Sequence, residues 1–174
     1  MRVGIDLDEV LFDTDRFKSR LKREFPDFEE SYESSKSGGL YRFEEHAERM
    51  GVDPARVLEL AGSSSDLVLD RVEKLESLDH ELILVSKGRE EFQRAKIQGT
   101  RLKQVFDEVH VFEEFELPKD EADIDFLIDD RESELEKVEV PGRRFDLESG
   151  SVEDLIGLIE EAEKQTVKTR VSNS

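Results

Sequence analysis

The chain has 174 residues, long enough for one α/β domain carrying a modest insertion. Its 45 acidic and 26 basic residues give a net charge of −19, which argues against a nucleic-acid backbone or an anionic membrane as partner. It has no cysteine, which excludes a disulfide framework, Cys-ligated zinc and thiol catalysis.

In chain order, Val3-Gly4-Ile5 is a short apolar run that stops at Asp6, with Asp8 two residues on. It reads as a buried parallel strand ending in two carboxylates. Ligands of open α/β sheets bind just beyond such strand ends. The strand period of two puts both acids roughly on one side, where they repel unless they share a metal or a proton. Alone, such a pair can equally be a helix cap and a surface acid. Asp13 or Thr14 caps a helix running to about Phe25, with Phe17, Leu21 and Phe25 on one face and Pro26 ending it. The Ser- and Gly-rich stretch 27–40 reads as a loop with one short helix. Tyr41 to Met50 reads as a helix closed by Gly51, and Asp53-Pro54 opens another that stops at Gly62. Leu67, Val68, Arg71, Val72, Leu75 and Leu78 mark a further amphipathic helix.

Leu82-Ile83-Leu84-Val85 is the second buried strand, ending at Ser86, and a helix from about Arg89 to Gln98 follows. Val109 and Val111 flag a third strand. Phe126-Leu127-Ile128 is a fourth, ending at Asp129-Asp130, and Arg143 to Leu147 a weaker fifth. Ser151 opens a last helix, and 165–174 reads as a polar, disordered tail. Strands alternating with helices give an α/β fold, a Rossmann-like parallel sheet of about five strands with helices on both faces. Residues 14–78 contain no strand and exceed one crossover, so they read as an all-helical subdomain inserted after the first strand. The core is then 1–13 and 79–164. No stretch approaches the ~18 apolar residues of a membrane span. Met1 leading straight into the first strand gives the expectation of a cytoplasmic chain without a signal peptide. His46, His80 and His110 have no ligand spacing. Arg outnumbers Lys 15 to 11 in this acidic chain, which suggests a salt-rich cytoplasm.

Three strand ends thus carry polar residues, and together they resemble the motifs of the haloacid dehalogenase superfamily of phosphoryl-transfer enzymes. Asp6-Leu7-Asp8-Glu9-Val10 matches its first motif, D-x-D-x-[TV]. Leu82 to Ser86 matches the second, Lys119 is the candidate for the third, and Phe126 to Asp130 matches the fourth. The resemblance spans residues 1–146, and the all-helical segment 14–78 then looks like the family's cap inserted after the first strand. It implies a Mg²⁺-dependent phosphatase of a small phosphorylated metabolite, with Asp6 as nucleophile forming an aspartyl phosphate and Asp8 as acid–base. It further implies phosphate binding by Ser86 Oγ and the Lys87 or Gly88 N–H groups. The metal would lie on Asp6, Asp8 through its backbone carbonyl, Asp129 and the neighbouring Asp130. Lys119 would offset charge, with Lys87 as the alternative, while Lys96 and Lys103 read as too far from the strand ends. Two departures stand out. Glu9 replaces a small residue, and the nine residues between Lys119 and Asp129 leave no room for a full helix. The competing reading is a catalytically degenerate, or receiver-like, regulatory protein that binds phosphate or metal.

Overall fold

A computed structural model of the chain describes residues 1–172, and side chains as far as Gln165. Five strands form one parallel sheet: β1 (Arg2–Ile5), β4 (Glu81–Lys87), β5 (Glu108–Phe112), β6 (Phe126–Asp129) and β7 (Gly142–Arg144). Their order is β5-β4-β1-β6-β7, so β1 is central and the chain reverses direction of travel beside it. That reversal opens a crevice at the carboxyl ends, the place where such sheets bind ligands. Register puts Ile5 opposite Ile128 and Leu84, so the ends of β1, β4 and β6 lie side by side.

The alternation within each strand sorts the core into two clusters. Val3, Ile5, Leu82, Leu84, Phe126 and Ile128 join a large cluster on one face. Ile83, Val85 and Leu127 join a smaller one on the other, with Ala122 and Ile124. The large face is covered by α5 (Glu90–Gln98), α6 (Leu102–Val105) and α8 (Val152–Ser172), whose Phe92, Leu102 and Leu155 are buried there. The small face is covered by a 3₁₀ turn at Lys119–Ala122 and by α7 (Glu132–Leu135). One 3₁₀ turn, ended by Asp123 in the left-handed region, thus replaces the helix that nine residues could not hold.

Between β1 and β4 lie α1 (Thr14–Glu24), α2 (Phe28–Tyr32), α3 (Phe43–Met50) and α4 (Pro54–Gly62). Asp13 caps α1 by accepting from the Arg16 N–H, Asp53 caps α4, and Gly51 ends α3 with φ +69°. The insertion departs from the all-helical expectation in two places. A two-stranded hairpin, β2 (Lys36–Ser37) with β3 (Leu40–Tyr41), turns on Gly38 and Gly39, both at positive φ. The stretch read as a helix from Leu67 is two 3₁₀ turns, Ser65–Leu67 and Val72–Ser77, around an extended link. Leu69 N–H there donates to Leu11 O and Asp13 N–H to Leu67 O, so pairing with the 11–13 segment outcompetes the helix. The last helix runs on to Ser172, through most of the stretch read as a disordered tail, and 173–174 lie outside the described residues. Among the described residues no helix is long and apolar enough to cross a membrane.

Candidate active site

The site is assembled from the two faces of the sheet. Asp6 follows β1 in step with Gly4, and Asp129 ends β6 in step with Leu127, so both carboxylates fall on the side of the small cluster. Lys119 rises from that side. Its side chain is fully buried, and Nζ lies 2.5 Å from both Asp6 Oδ1 and Asp129 Oδ2. Asp129 Oδ1 accepts from the Arg131 N–H. Oxygens of Asp6, Asp129 and Asp130 lie within 4.8 Å of one another. Three acids around one ammonium leave a shortage of positive charge. Burial drives the Asp6 carboxyl up; Lys119 opposes this, but Asp129 and Asp8 add to it, and the result is about 8. Burial and then Asp129 raise Asp130 to about 6. Lys119, which burial alone would lower, is held above its ordinary value by Asp6 and Asp129.

Asp8 is supplied from the other face. Lys96 and Gln93 sit one turn apart on α5, both buried. Lys96 Nζ donates to Asp8 Oδ1 at 2.8 Å, Gln93 Nε2 to Oδ2 at 2.8 Å, and Thr14 Oγ1 to Oδ1 at 2.6 Å. The ammonium is framed by Phe92, Phe12 and Phe17, with ring centroids at 4.7, 5.2 and 6.0 Å. Burial would raise the Asp8 carboxyl, but Lys96, Thr14 and Gln93 together pull it down to about 2.

Gln93 Nε2 also donates to Ser86 Oγ at 2.7 Å, which ties the β4 end to Asp8. The orientation of this amide is set by its neighbours. Reversing it would put its oxygen against Asp8 Oδ2 and the Lys87 carbonyl. Glu9, held at φ 62°, accepts the Asp15 N–H with its side chain, and burial followed by Asp15 raises its carboxyl to about 7.

Several expectations are corrected here. The Asp8 carboxylate turns to Lys96 and stands apart from the Asp6–Asp129–Asp130 group, which leaves the expected role of its backbone carbonyl untouched. Gly88 N–H is not free for a ligand, since it donates to Phe112 O at 3.0 Å. The Lys87 ammonium does not join Asp6 and Asp129: it pairs with Glu134 on α7 at 2.7 Å and donates to Phe115 O at 2.5 Å. It thereby orders the 113–118 loop that delivers Lys119. Lys96, read as too distant, is in the site. Its signal was available: Lys96 occupies the i+4 position from the core residue Phe92, where an apolar side chain belongs.

A cavity of about 290 Å³ lies over these groups. Asp6, Asp8, Asp130 and Gln93 line it from below, and Phe17, Lys18, Phe28, Tyr32 and Tyr41 of the insertion from above. The insertion is seated on the core at two points. At one, α4 packs on α5 so closely that a Cβ at Gly99 would fall inside the Gly62 carbonyl. At the other, Phe115 lies where a Cβ at Gly39 would be, under the hairpin turn. Arg89 adds a bridge from Glu44 on α3 to Glu113.

No protein-family model matches the chain, and no curated protein matches it in sequence. Solved structures do. A haloacid dehalogenase-like family hydrolase from Xanthomonas campestris is 15% identical with a TM-score of 0.64, over 97% of this chain and 94% of that one. A haloacid dehalogenase-like hydrolase from Burkholderia xenovorans LB400 is 16% identical, TM-score 0.59, over 82% and 81%. A hydrolase from Streptococcus pneumoniae TIGR4 is 15% identical, TM-score 0.57, over 91% and 97%. At this identity the likeness establishes the fold, and the chain has the haloacid dehalogenase-like fold.

Proposed function

We propose that this haloacid dehalogenase-like chain is a divalent-metal-dependent phosphohydrolase acting on a small phosphorylated metabolite. The observation that carries the reading is the buried Asp6–Lys119–Asp129 group, with Asp130 beside it, at the ends of β1 and β6 where a cavity opens over Asp6 and Asp130. The donor set fits a metal: three carboxylates, with no His or Cys among them, and a shortage of positive charge that raises Asp6 and Asp130. Oxygen donors alone suit a hard cation such as Mg²⁺. Held by Asp6, Asp129 and Asp130, it would let a carboxylate approach a phosphate dianion.

Asp6 is the nucleophile. Its oxygen bonds to phosphorus as the ester P–O bond breaks, giving an aspartyl phosphate. Asp8 is placed to move the proton, to the leaving oxygen first and then from the water that cleaves the Asp6–phosphorus linkage. Lys119 neutralises Asp6 and the phosphoryl group, and Ser86, oriented by Gln93, offers its hydroxyl to a phosphate oxygen. Lys96, Gln93 and Thr14 hold Asp8 in place.

One observation favours a second reading. Asp8 rests ionised, so it is a ready base but a reluctant acid. That suits a leaving group that departs without a proton, such as the carboxylate of an acyl phosphate or a halide. Assays with Mg²⁺ on alkyl phosphates, acyl phosphates and 2-haloacids separate these readings. Halide release without phosphate release would overturn the first. No turnover of any of them, with metal bound, would make this a non-catalytic binding protein. We read the surplus of carboxylates as suited to a salt-rich medium, and loss of melting temperature on adding KCl would refute that.

A further inference from the structure

The carboxylate end of the cavity accounts for a phosphoryl group and leaves the opposite wall unassigned. With 45 acids against 26 bases, nearly every cation at the cavity has an acid of its own. Lys96 has Asp8, Lys87 has Glu134, Arg89 has Glu44 and Glu113, and Lys36 has Glu33 at 3.0 Å. Lys18, on α1, is the exception: among the described residues no carboxylate pairs with it. Its ammonium lies 5.4 Å from the centre of the Tyr32 ring, and the Lys36 ammonium lies 4.4 Å from the same centre.

That ring is held from beneath. Tyr32 stacks on Phe28 at 5.0 Å and meets Tyr41 at 5.4 Å. The Tyr41 hydroxyl donates to His46 Nδ1 at 2.8 Å, while His46 Nε2 donates to Phe28 O at 2.9 Å. The carbonyl can only accept, which fixes the His46 tautomer and makes Tyr41 the donor. Two ammonium groups converge on one fixed ring, and the exposed Glu33 pairs with Lys36 alone, so the two together have the charge to receive an anion. The ring and its neighbours supply an apolar wall for the skeleton that carries it.

We propose that Lys18 and Lys36 form a second anion subsite, and that the substrate is a small phosphate ester with another anionic group at its far end: a phosphorylated carboxylic acid or a bisphosphate. This rests on the phosphohydrolase reading above. The subsite also gives the cavity mouth a local positive charge within a chain that would otherwise repel such a substrate.

The test compares esters with the same three carbons: glycerol 3-phosphate, 3-phosphoglycerate and propane-1,3-diol bisphosphate, with Mg²⁺. The doubly anionic esters should show kcat/KM about tenfold or more above glycerol 3-phosphate, the scale of one charge-assisted contact. The preferred one of the two identifies the second anion. Lys18→Gln should collapse that ratio towards one and Lys18→Arg should keep it. A wild-type ratio of one or less, or a ratio that Lys18→Gln leaves intact, overturns the proposal. If no ester is hydrolysed, the phosphohydrolase reading fails separately, and calorimetry still reads the subsite. With metal present, 3-phosphonopropionate should bind about tenfold tighter than propylphosphonate, a difference lost in Lys18→Gln. Equal affinity, or no binding of either, overturns it.

Discussion

The two aspartates of one D-x-D run lie two residues apart and live in opposite electrostatic worlds. Asp6 shares a single ammonium, Lys119, with Asp129, and its carboxyl is driven up to about 8. Asp8 has Lys96 to itself, with Thr14 and Gln93 besides, and its carboxyl is pulled down to about 2. The sheet makes the division: Lys119 reaches Asp6 from the thinly covered face, and Lys96 reaches Asp8 from the helix-covered one. The spacing of two acids therefore says little about their charge state. The supply of cations around each decides it, and only the Asp6 side is left short of positive charge.

The sharpest break of this contrast is at the acids themselves. Asp6→Asn and Asp8→Asn should each lower turnover of the best substrate by three or more orders of magnitude, on the order of losses seen for groups that act as a unit. Their stabilities should diverge. In EDTA, Asp6→Asn relieves repulsion and raises the melting temperature. Asp8→Asn strands the buried Lys96 and lowers stability by about 2 kcal/mol, less than for a fully buried pair because Asp8 is 31% exposed. Equal shifts of the same sign in thermal melts would erase the distinction.

Next in size is Lys119→Met, which leaves Asp6 and Asp129 buried without a cation. It should lower kcat on the order of a hundredfold and, in EDTA, cost about 3–5 kcal/mol in urea melts. Mg²⁺ should recover most of the stability. A variant whose stability ignores Mg²⁺ would remove the metal from this group.

Lys96→Met probes the other side. Without its ammonium, burial dominates Asp8, so its carboxyl rises and proton acceptance fails at higher pH. The acid limb of the kcat profile should move up by about one unit or more. Lys96→Arg should hold the limb in place, and an unmoved limb in Lys96→Met would deny Lys96 its part.

The smallest effect is a slope. In metal-free protein, Asp6, Glu9 and Asp130 titrate at about 8, 7 and 6, above their unfolded values. From about pH 4 to 8 the folded state then binds more protons than the unfolded state, so these groups make stability fall as pH rises. Bound Mg²⁺, or Asp6→Asn, should flatten that fall. Melting temperatures in EDTA that climb from pH 5 to 8 would contradict it.

The strand ends were legible because each is an apolar run cut off by one polar residue, and parallel sheets bury such runs on both faces. The placing of Asp6 and Asp129 at the ends of buried strands follows from that, whereas Lys119 was a candidate only through the resemblance, and the strand order had no mark in the sequence. Lys96 carried a mark, its place at i+4 from Phe92, but was read as too far from the strand ends, and Gln93 looks like a surface residue until Asp8 is known to face it. The stretch 67–78 misled for a related reason: its apolar spacing fits a helix, but Leu67 and Leu69 take their backbone partners from the 11–13 segment. Distant partners of this kind leave no local mark.

The glycine pair at 62 and 99 bears on how this architecture can be rebuilt. Because α4 rests backbone to backbone on the very helix that carries Gln93 and Lys96, the insertion is no detachable module. An engineer exchanging residues 14–78 for another segment would have to keep Gly99, where a Cβ would fall on the Gly62 main chain, and bring the new backbone past it by the same path. Otherwise α5 is displaced, and Asp8 is misaimed while every residue of the acidic cluster is left untouched. Grafts in this scaffold will succeed or fail at a position that touches no substrate.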